Sequence, residues 1–299
     1  MDSNDVNFFE AQQSRYPKRL MIRIIHINSF GHSGSTLVNL LVAENAGIFA
    51  GGHLFRYSYL WKRDHEVTTA DGKLLKDSDF WKAIKAKVEK DTGKKPDFSQ
   101  GPNQFDKQDV QALFKAITEE SGCEIICDNS KSRAFDKIIY NPPFDTYMVH
   151  LVRDGRAVYN SYRKKGIVWP LMPIRWTVSS IHIWLKNKTK TSYNLVRYED
   201  VALHLEKTSS TILDNVLKYF KIQKTDINKR TENTVPLMFA GNRTRTSYTT
   251  GAVSYDNSYL KDIPPLMWLY LTLTMLPALL IFGYPLTRKG VQRKFCKTS

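Results

Sequence analysis

An apolar strand, a loop rich in Gly and Ser and a helix follow one another near the N-terminus, and this order constrains the fold most. Residues Leu20–Asn28 (LMIRIIHIN) are short, rich in Ile and end at a Gly/Ser cluster, which is typical of a buried strand. The loop Gly31–Thr36 and the apolar helical pattern Leu37–Val42 come next. Glycines let successive N–H groups turn inward, and the helix directs its positive end to the same point. The pattern predicts a cradle for an anion, and a Gly/Ser turn that only caps a helix is the alternative interpretation.

The residue types in this loop exclude the usual nucleoside-triphosphate loop. That loop requires Gly-Lys followed by Ser or Thr, whereas Gly34 is followed directly by Ser35 and Thr36. The missing lysine argues against an ordinary ATPase or kinase.

A second candidate anion site lies in residues 149–165, VHLVRDGRAVYNSYRKK. An apolar strand runs into Arg153, a turn follows at Asp154 and Gly155, and a helix begins there. Open α/β sheets bind ligands at the carboxyl ends of their strands, and the planar donors of Arg match phosphate oxygens. Ser161 follows eight positions later, two helical turns along. A surface Arg153 that pairs with Asp154 is the alternative.

Strand and helix patterns alternate along the chain, which predicts a mostly parallel sheet in one α/β domain. Further strands are predicted at Glu124–Cys127, Thr146–Val152 and Tyr193–Val196, and helices at Asp106–Glu120, Gly155–Lys164 and Thr208–Phe220. The domain spans residues 1–299, with a polar arm at 1–18, a helical lid insertion at 62–105, an apolar helix at 264–286 and a basic tail at 287–299.

The two loops in this order resemble those of the sulfotransferases that use 3'-phosphoadenylyl sulfate (PAPS). SGST resembles the family's 5'-phosphosulfate loop, and VRDGRAVYNSY resembles its 3'-phosphate motif. The stretches VRYEDV, CDNSKS and GNRTR are similar to smaller motifs of the family and its bacterial branch. The resemblance covers roughly residues 20–260. It implies a P-loop-NTPase-like, three-layer α/β/α fold and PAPS as co-substrate.

The resemblance also implies roles for individual residues. The 5'-phosphosulfate end of PAPS would be held by Gly31, His32, Ser33, Gly34, Ser35 and Thr36. The 3'-phosphate would be held by Arg153 and Ser161, and Asn242 and Arg245 of the GNRTR stretch would lie near the nucleotide.

The candidate catalytic residues are His53, His32 and Lys131. His32 stands where much of the family has Lys or Arg, and Lys131 is a candidate source of the missing charge. His53 stands where the bacterial and protein-tyrosine branches often have a Glu base. Histidine titrates near neutral pH, so it is suited to take the acceptor's proton. A structural or surface histidine is the alternative for His53.

Charge and composition leave two competing function classes. The 44 Lys and Arg exceed the 29 Asp and Glu by 15, which suits an anionic ligand or an acidic surface. The competing enzyme is a P-loop-type nucleotide or small-molecule kinase, and the competing non-enzyme is a basic protein that binds polyanions or membranes. The expectation is an enzyme that acts on PAPS and a small-molecule, carbohydrate or lipid acceptor, without nucleic acid as partner. No metal is expected, because no metal-ligand pattern occurs in the sequence.

The stretch Leu266–Tyr284 is apolar, and no charged residue occurs from Ile263 to Thr287. A helix that is apolar all round is buried in protein, covered by a partner or in contact with lipid. The tail beyond it is purely basic, and basic flanks favour the cytoplasmic side of a membrane. Together with the polar N-terminus, this predicts a cytoplasmic protein in which 264–286 is buried, forms a homodimer or anchors the chain to a membrane.

Overall fold

A sheet of five strands forms the centre of the computed structural model, which describes residues 21–44, 47–61, 66–96, 106–167, 170–224, 234–239 and 255–296. The strands are β1 (Ile22–Ser29), β2 (Ile48–Gly52), β3 (Ile125–Asp128), β4 (Phe144–Val152) and β5 (Tyr193–Arg197). Their spatial order is β2-β3-β1-β4-β5, and every neighbouring pair is parallel. The predicted α/β fold with a mostly parallel sheet is confirmed.

Helices cover both faces of the sheet. They are α1 (Ser35–Ala43), α2 (Asp79–Thr92), α3 (Lys107–Ser121), α4 (Arg133–Ile139), α5 (Gly155–Lys164), α6 (Met172–Asn187), α7 (Tyr198–Leu203), α8 (Leu205–Phe220), α9 (Tyr259–Asp262), α10 (Pro265–Ile281) and α11 (Arg288–Phe295). Among the described residues, 3₁₀ segments lie at Leu54–Leu60, Leu75–Asp77 and Val235–Leu237.

The alternating side chains of β1 explain why both faces are covered. Ile25 and Ile27 pack into a core with α1 and α8, whereas Ile24 packs into a second core with α2, α3 and α4. Successive strand residues point to opposite faces, so a strand that is apolar on both faces must lie inside a three-layer structure.

Several elements differ from the sequence-based expectations. Strand β2 was not expected, and α6 was not expected either. The basic tail contains α11, whose Val291 and Phe295 are buried. The described part of the lid insertion contains α2, and its Trp81 is buried and donates from Nε1 to the Leu237 carbonyl at 2.9 Å. A lid function for residues 62–105 stays a prediction.

The apolar stretch 264–286 contains α10, and only one face of this helix is buried. Trp268, Leu271 and Met275 lie on that face, in a third core with α5 and α6. Among the described residues, no helix combines the length and apolar character that crossing a bilayer requires.

Candidate anion-binding site

The carboxyl ends of all five strands meet at one edge of the sheet, and the candidate site is built there. Strand β1 lies between β3 and β4, and its last residue, Ser29, pairs with Leu151 of β4. The chain leaves β1 toward β2 and leaves β4 toward β5, on opposite sides. Such a reversal opens a crevice between the two strand ends, where sheets of this kind bind ligands. The loop after β1 and Arg153 after β4 flank this crevice.

The loop after β1 has two residues with left-handed backbone, His32 and Gly34, directly before a helix N-terminus. Gly34 caps α1 in the left-handed region, at φ 91°, and a side chain there would overlap the Tyr198 ring. Gly31 is similarly restricted, since a Cβ would overlap the Tyr162 hydroxyl. Helix α1 begins at Ser35, and the first N–H groups of a helix have no partner within it. The positive end of the helix dipole therefore lies at the carboxyl edge of the sheet, beside the crevice.

Ser33 adds a donor that no group in the described part of the chain uses. Its side chain is 1 % exposed, and its Oγ has no hydrogen-bond partner there. A buried polar atom without a partner is destabilising, and in a native protein it calls for an explanation. An anion bound in the cradle would supply that partner. Ser35 and Thr36, in the first turn of α1, are buried beside it.

Arg153 lies directly against this loop. Its Nη1 donates to the His32 carbonyl at 3.2 Å, and its guanidinium stacks on the Tyr198 ring at 4.4 Å from the centroid. The residue is 7 % exposed, and its Nε has no hydrogen-bond partner among the described residues. Its Nη2 contacts Asp256 at 3.3 Å, an acid that is half exposed at the rim. Arg153 is thus fixed in place with donors that remain available.

The turn that carries Arg153 is held from beneath. Asp154 caps α5 by accepting from the Arg156 N–H at 3.0 Å, and its own N–H donates to Glu199 at 3.1 Å. Glu199 is fully buried and also accepts from the Tyr284 hydroxyl at 2.7 Å. Burial raises the pKa of Glu199 to about 7, and the nearby Asp154 adds to this increase. These contacts fix the direction in which Arg153 leaves the strand.

His32 is neutral at physiological pH. Burial lowers its pKa to about 4, and the charges of Lys165, Lys131 and Arg153 add to this, in decreasing order. Its backbone is left-handed, at φ 64°, and its imidazole and the Tyr162 ring pack edge to face. The Lys165 ammonium lies 3.4 Å from Nδ1, so Nδ1 accepts and the proton of the neutral ring is on Nε2. His32 therefore offers one donor but no charge.

Three cations lie close enough to His32 to lower its pKa: Lys165, Lys131 and Arg153. Lys131 follows β3 and its side chain is accessible, yet the protein packed around it removes much of its hydration. This desolvation lowers the pKa of Lys131 to about 8. Lys165, on the turn after α5, was not identified from the sequence as a site residue. Its contact with His32 follows from the packing of α5, and the only sequence signal is its place at the end of the 149–165 motif.

His53 follows β2 at the same edge of the sheet, and the segment around it is firmly attached to the end of β3. The Leu54 N–H donates to Asp128 at 3.2 Å and the Phe55 N–H donates to Ser130 at 2.9 Å. Asp128 is fully buried, and burial raises its pKa to about 6. His53 itself donates its N–H to the Phe239 carbonyl at 3.0 Å and is partly exposed. The structure thus brings His53 and Lys131 to neighbouring strand ends.

The remaining candidate residues are Ser161, Asn242 and Arg245. Ser161 is partly exposed on α5, next to Tyr162, which contacts the loop after β1. Asn242 and Arg245 lie outside the described residues. The described residues hold no cluster of three or more His, Cys, Asp or Glu that could bind a metal ion.

No protein-family model matches the chain, and no curated protein sequence matches it. The solved structures that it resembles include sulfotransferase domains. The domain from the Synechococcus PCC 7002 olefin synthase is 22 % identical, with a TM-score of 0.48 over 89 % of this chain and 96 % of that one. The domain from the curacin biosynthetic pathway is 14 % identical, with a TM-score of 0.48 over 89 % and 99 %. Retinol dehydratase, solved with androsterone and the inactive cofactor PAP, is 14 % identical, with a TM-score of 0.40 over 88 % and 82 %.

Proposed function

We propose that this protein is a sulfotransferase that transfers the sulfuryl group of PAPS to a hydroxyl or amine of a small-molecule, carbohydrate or lipid acceptor. The observation that carries the proposal is the contact between Arg153 and the loop after β1, at 3.2 Å. It joins two candidate anion-binding elements at neighbouring strand ends, which suits a ligand with phosphates at both ends of one nucleoside.

The donors available in the crevice support this assignment. The glycine-rich loop and the N-terminus of α1 suit the 5'-phosphosulfate, and Ser33 has a buried hydroxyl without a partner in the described chain. Arg153 has an available Nε and suits the 3'-phosphate, together with Ser161. Asn242 and Arg245 are proposed near the nucleotide from the sequence alone.

The proposed chemistry is an in-line displacement at sulfur. The acceptor oxygen or nitrogen forms a bond to sulfur while the bond from sulfur to the bridging phosphate oxygen breaks. That oxygen leaves with the electron pair on 3'-phosphoadenosine 5'-phosphate (PAP), and the acceptor proton passes to His53. Lys131 and Nε2–H of His32 stabilise the negative charge that develops on the leaving oxygen. By analogy with phosphoryl transfer, catalysis is mainly positioning and electrostatic stabilisation.

Calorimetric titration of the protein with PAP, AMP and ATP tests this assignment. The sulfotransferase assignment predicts tight binding of PAP and weak binding of AMP, because PAP carries a 3'-phosphate that AMP lacks. A preference for ATP would indicate a kinase instead. Equal, strongly salt-dependent binding of all three would indicate a general polyanion binder. An acceptor screen with labelled PAPS then tests the transfer itself.

The variant Arg153→Gln locates the 3'-phosphate. Losing a charged donor costs about 1.5–3 kcal/mol, so we expect PAP affinity to fall about 10- to 150-fold with AMP affinity unchanged. The matched control is Arg23→Gln, since Arg23 pairs with Glu124 near the start of β1, away from the carboxyl edge. Equal losses for PAP and AMP in Arg153→Gln would remove the role assigned to Arg153.

A further inference from the structure

The described part of the chain exposes two neighbouring apolar stripes on α6 and α10. On α6 the exposed residues are Leu171 just before the helix, Ile174, Val178 and Leu185, which are 47–62 % exposed. On α10 they are Leu266, Leu269, Tyr270, Leu273, Leu280 and Ile281, which are 39–83 % exposed. Residues spaced by three, four and seven positions lie on one side of a helix. We call this surface the α6/α10 face.

The two helices are fixed to each other and to the protein. Tyr270 of α10 donates its hydroxyl to the Pro170 carbonyl before α6 at 3.3 Å, and Thr177 of α6 donates to the Thr274 carbonyl at 3.4 Å. The opposite side of α10 is core, since Leu271 and Met275 are fully buried. The helix therefore cannot turn its exposed residues inward. An apolar surface of this extent on a soluble monomer usually marks an interaction site.

The charge around this face identifies the chemistry of its partner. Residues 171–196 and 263–299, which contain both helices and their flanks, carry nine of the 44 Lys and Arg and none of the 29 Asp and Glu. The closest acid in sequence to α10, Asp262, is neutralised by Lys164 at 2.9 Å. A membrane-surface helix has this composition, with an apolar face beside a purely basic one.

Exposed basic residues also flank both helices in the sequence. Lys186 follows Leu185 in the last turn of α6, with Lys188 and Lys190 directly beyond, and all three are exposed. Helix α11 adds Lys289 and Arg293, which are also exposed. Each basic residue near an anionic leaflet strengthens membrane binding about fivefold.

We propose that the α6/α10 face binds the surface of a membrane that contains anionic phospholipids, with its apolar residues inserted at the level of the headgroups. The helices lie in the plane of the membrane and keep their packing in the protein. This inference does not depend on the reaction proposed above.

Co-sedimentation of the full chain with lipid vesicles tests the proposal. One set contains phosphatidylcholine alone and the other contains phosphatidylcholine and phosphatidylserine at about two to one. We expect binding to the anionic vesicles that is at least about tenfold stronger and that weakens with salt. Equal binding to both sets, or no binding, would overturn the proposal.

Substitutions separate the apolar and the charged contributions. Leu269→Glu with Leu273→Glu should lower vesicle binding at least about tenfold. Val178→Glu on α6 should lower it too, and this variant replaces the first one if the α10 variant is poorly folded. Lys186→Gln with Lys188→Gln should lower binding to anionic vesicles about 25-fold. Leu203→Glu is the matched control, because Leu203 is a 39 % exposed leucine outside this face, and it should change nothing.

Two controls distinguish membrane binding from nucleotide binding and from self-association. Each variant is titrated with PAP, and unchanged affinity shows that a loss of vesicle binding is independent of the nucleotide site. Sedimentation velocity measures self-association. If the wild type is a dimer that Leu273→Glu dissociates, and vesicles do not bind, the face is a protein interface and the proposal is wrong.

Discussion

The buried ion pair between Arg156 and Asp154 allows a quantitative test of how the C-terminal segment is attached to the candidate site. Both side chains are fully buried, and the guanidinium makes two parallel hydrogen bonds to the carboxylate, at 2.9 and 2.7 Å. The same guanidinium donates to the carbonyls of Pro285 and Leu286 at 2.7 and 3.0 Å. It thus links the start of α5 to the chain that follows α10.

Arg156→Met keeps much of the volume but leaves the buried Asp154 carboxylate without its counter-charge. Removing one partner of a buried pair destabilises a protein by about 3–5 kcal/mol. The carbonyls of Pro285 and Leu286 add little, since both residues are partly exposed and water can replace the guanidinium. We therefore expect the free energy of unfolding to fall by about 3–5 kcal/mol.

The chain contains a matched control for this measurement. Arg197 and Asp200 form a similar two-point pair, at 2.8 and 3.1 Å, but their side chains are 27 % and 37 % exposed. Exposed pairs contribute about 0–1 kcal/mol, so Arg197→Met should cost at most about 1 kcal/mol. Each variant removes one guanidinium group, and the two groups differ mainly in how deeply they are buried.

Urea unfolding followed by circular dichroism gives the loss in free energy of unfolding for each variant, provided that the slope of this free energy against urea concentration is the same in all variants. The double variant Arg156→Met with Asp154→Asn should be more stable than Arg156→Met, because no buried charge then lacks its partner. If Arg156→Met and Arg197→Met cost the same within about 1 kcal/mol, burial does not determine the strength of these pairs and the reasoning is wrong.

Three further predictions concern the crevice. Desolvation lowers the pKa of Lys131 to about 8, so its positive charge is present below pH 8 and is lost as the pH rises above this value. PAP affinity measured by titration should therefore fall between about pH 7 and 9 in the wild type and stay level in Lys131→Arg. Asp256→Asn removes an acid 3.3 Å from Arg153 and should tighten PAP binding by up to about fivefold; weaker binding would show that Asp256 supports the site. His53→Ala should lower turnover in a labelled-PAPS assay about 10²- to 10⁴-fold with PAP affinity unchanged, and unchanged turnover would remove its role as base.

The sequence predicted the centre of the fold because its signals there are local. The Ile-rich pattern of β1 predicted a strand over Leu20–Asn28, and the structure has it at Ile22–Ser29. The loop Gly31–Thr36 and Arg153 were both expected at strand ends, and parallel strands bring such ends to one edge. Their direct contact required the strand order, since β1 and β4 are neighbours only in the folded sheet.

Elements that depend on distant contacts were missed. Strand β2 has the sequence IFAGG, which is too short and too rich in Gly to predict a strand, and its extended conformation comes from pairing with β3. Lys165 could not be assigned to the site, because its contact with His32 depends on how α5 packs. For α10 the sequence indicated an apolar helix on every side, and only the structure divides it into a buried and an exposed face.

The strand order also has a consequence for synthesis of the chain on the ribosome. Both neighbours of β1 in the sheet lie far along the chain, with Arg23 paired to Ile125 and Ile22 paired to Phe144, so more than a hundred residues must be translated before β1 has either partner. At about 5–20 residues per second, this takes on the order of 10 s. During that interval an Ile-rich segment with unpaired backbone groups emerges from the exit tunnel, and its apolar side chains are open to association with other chains.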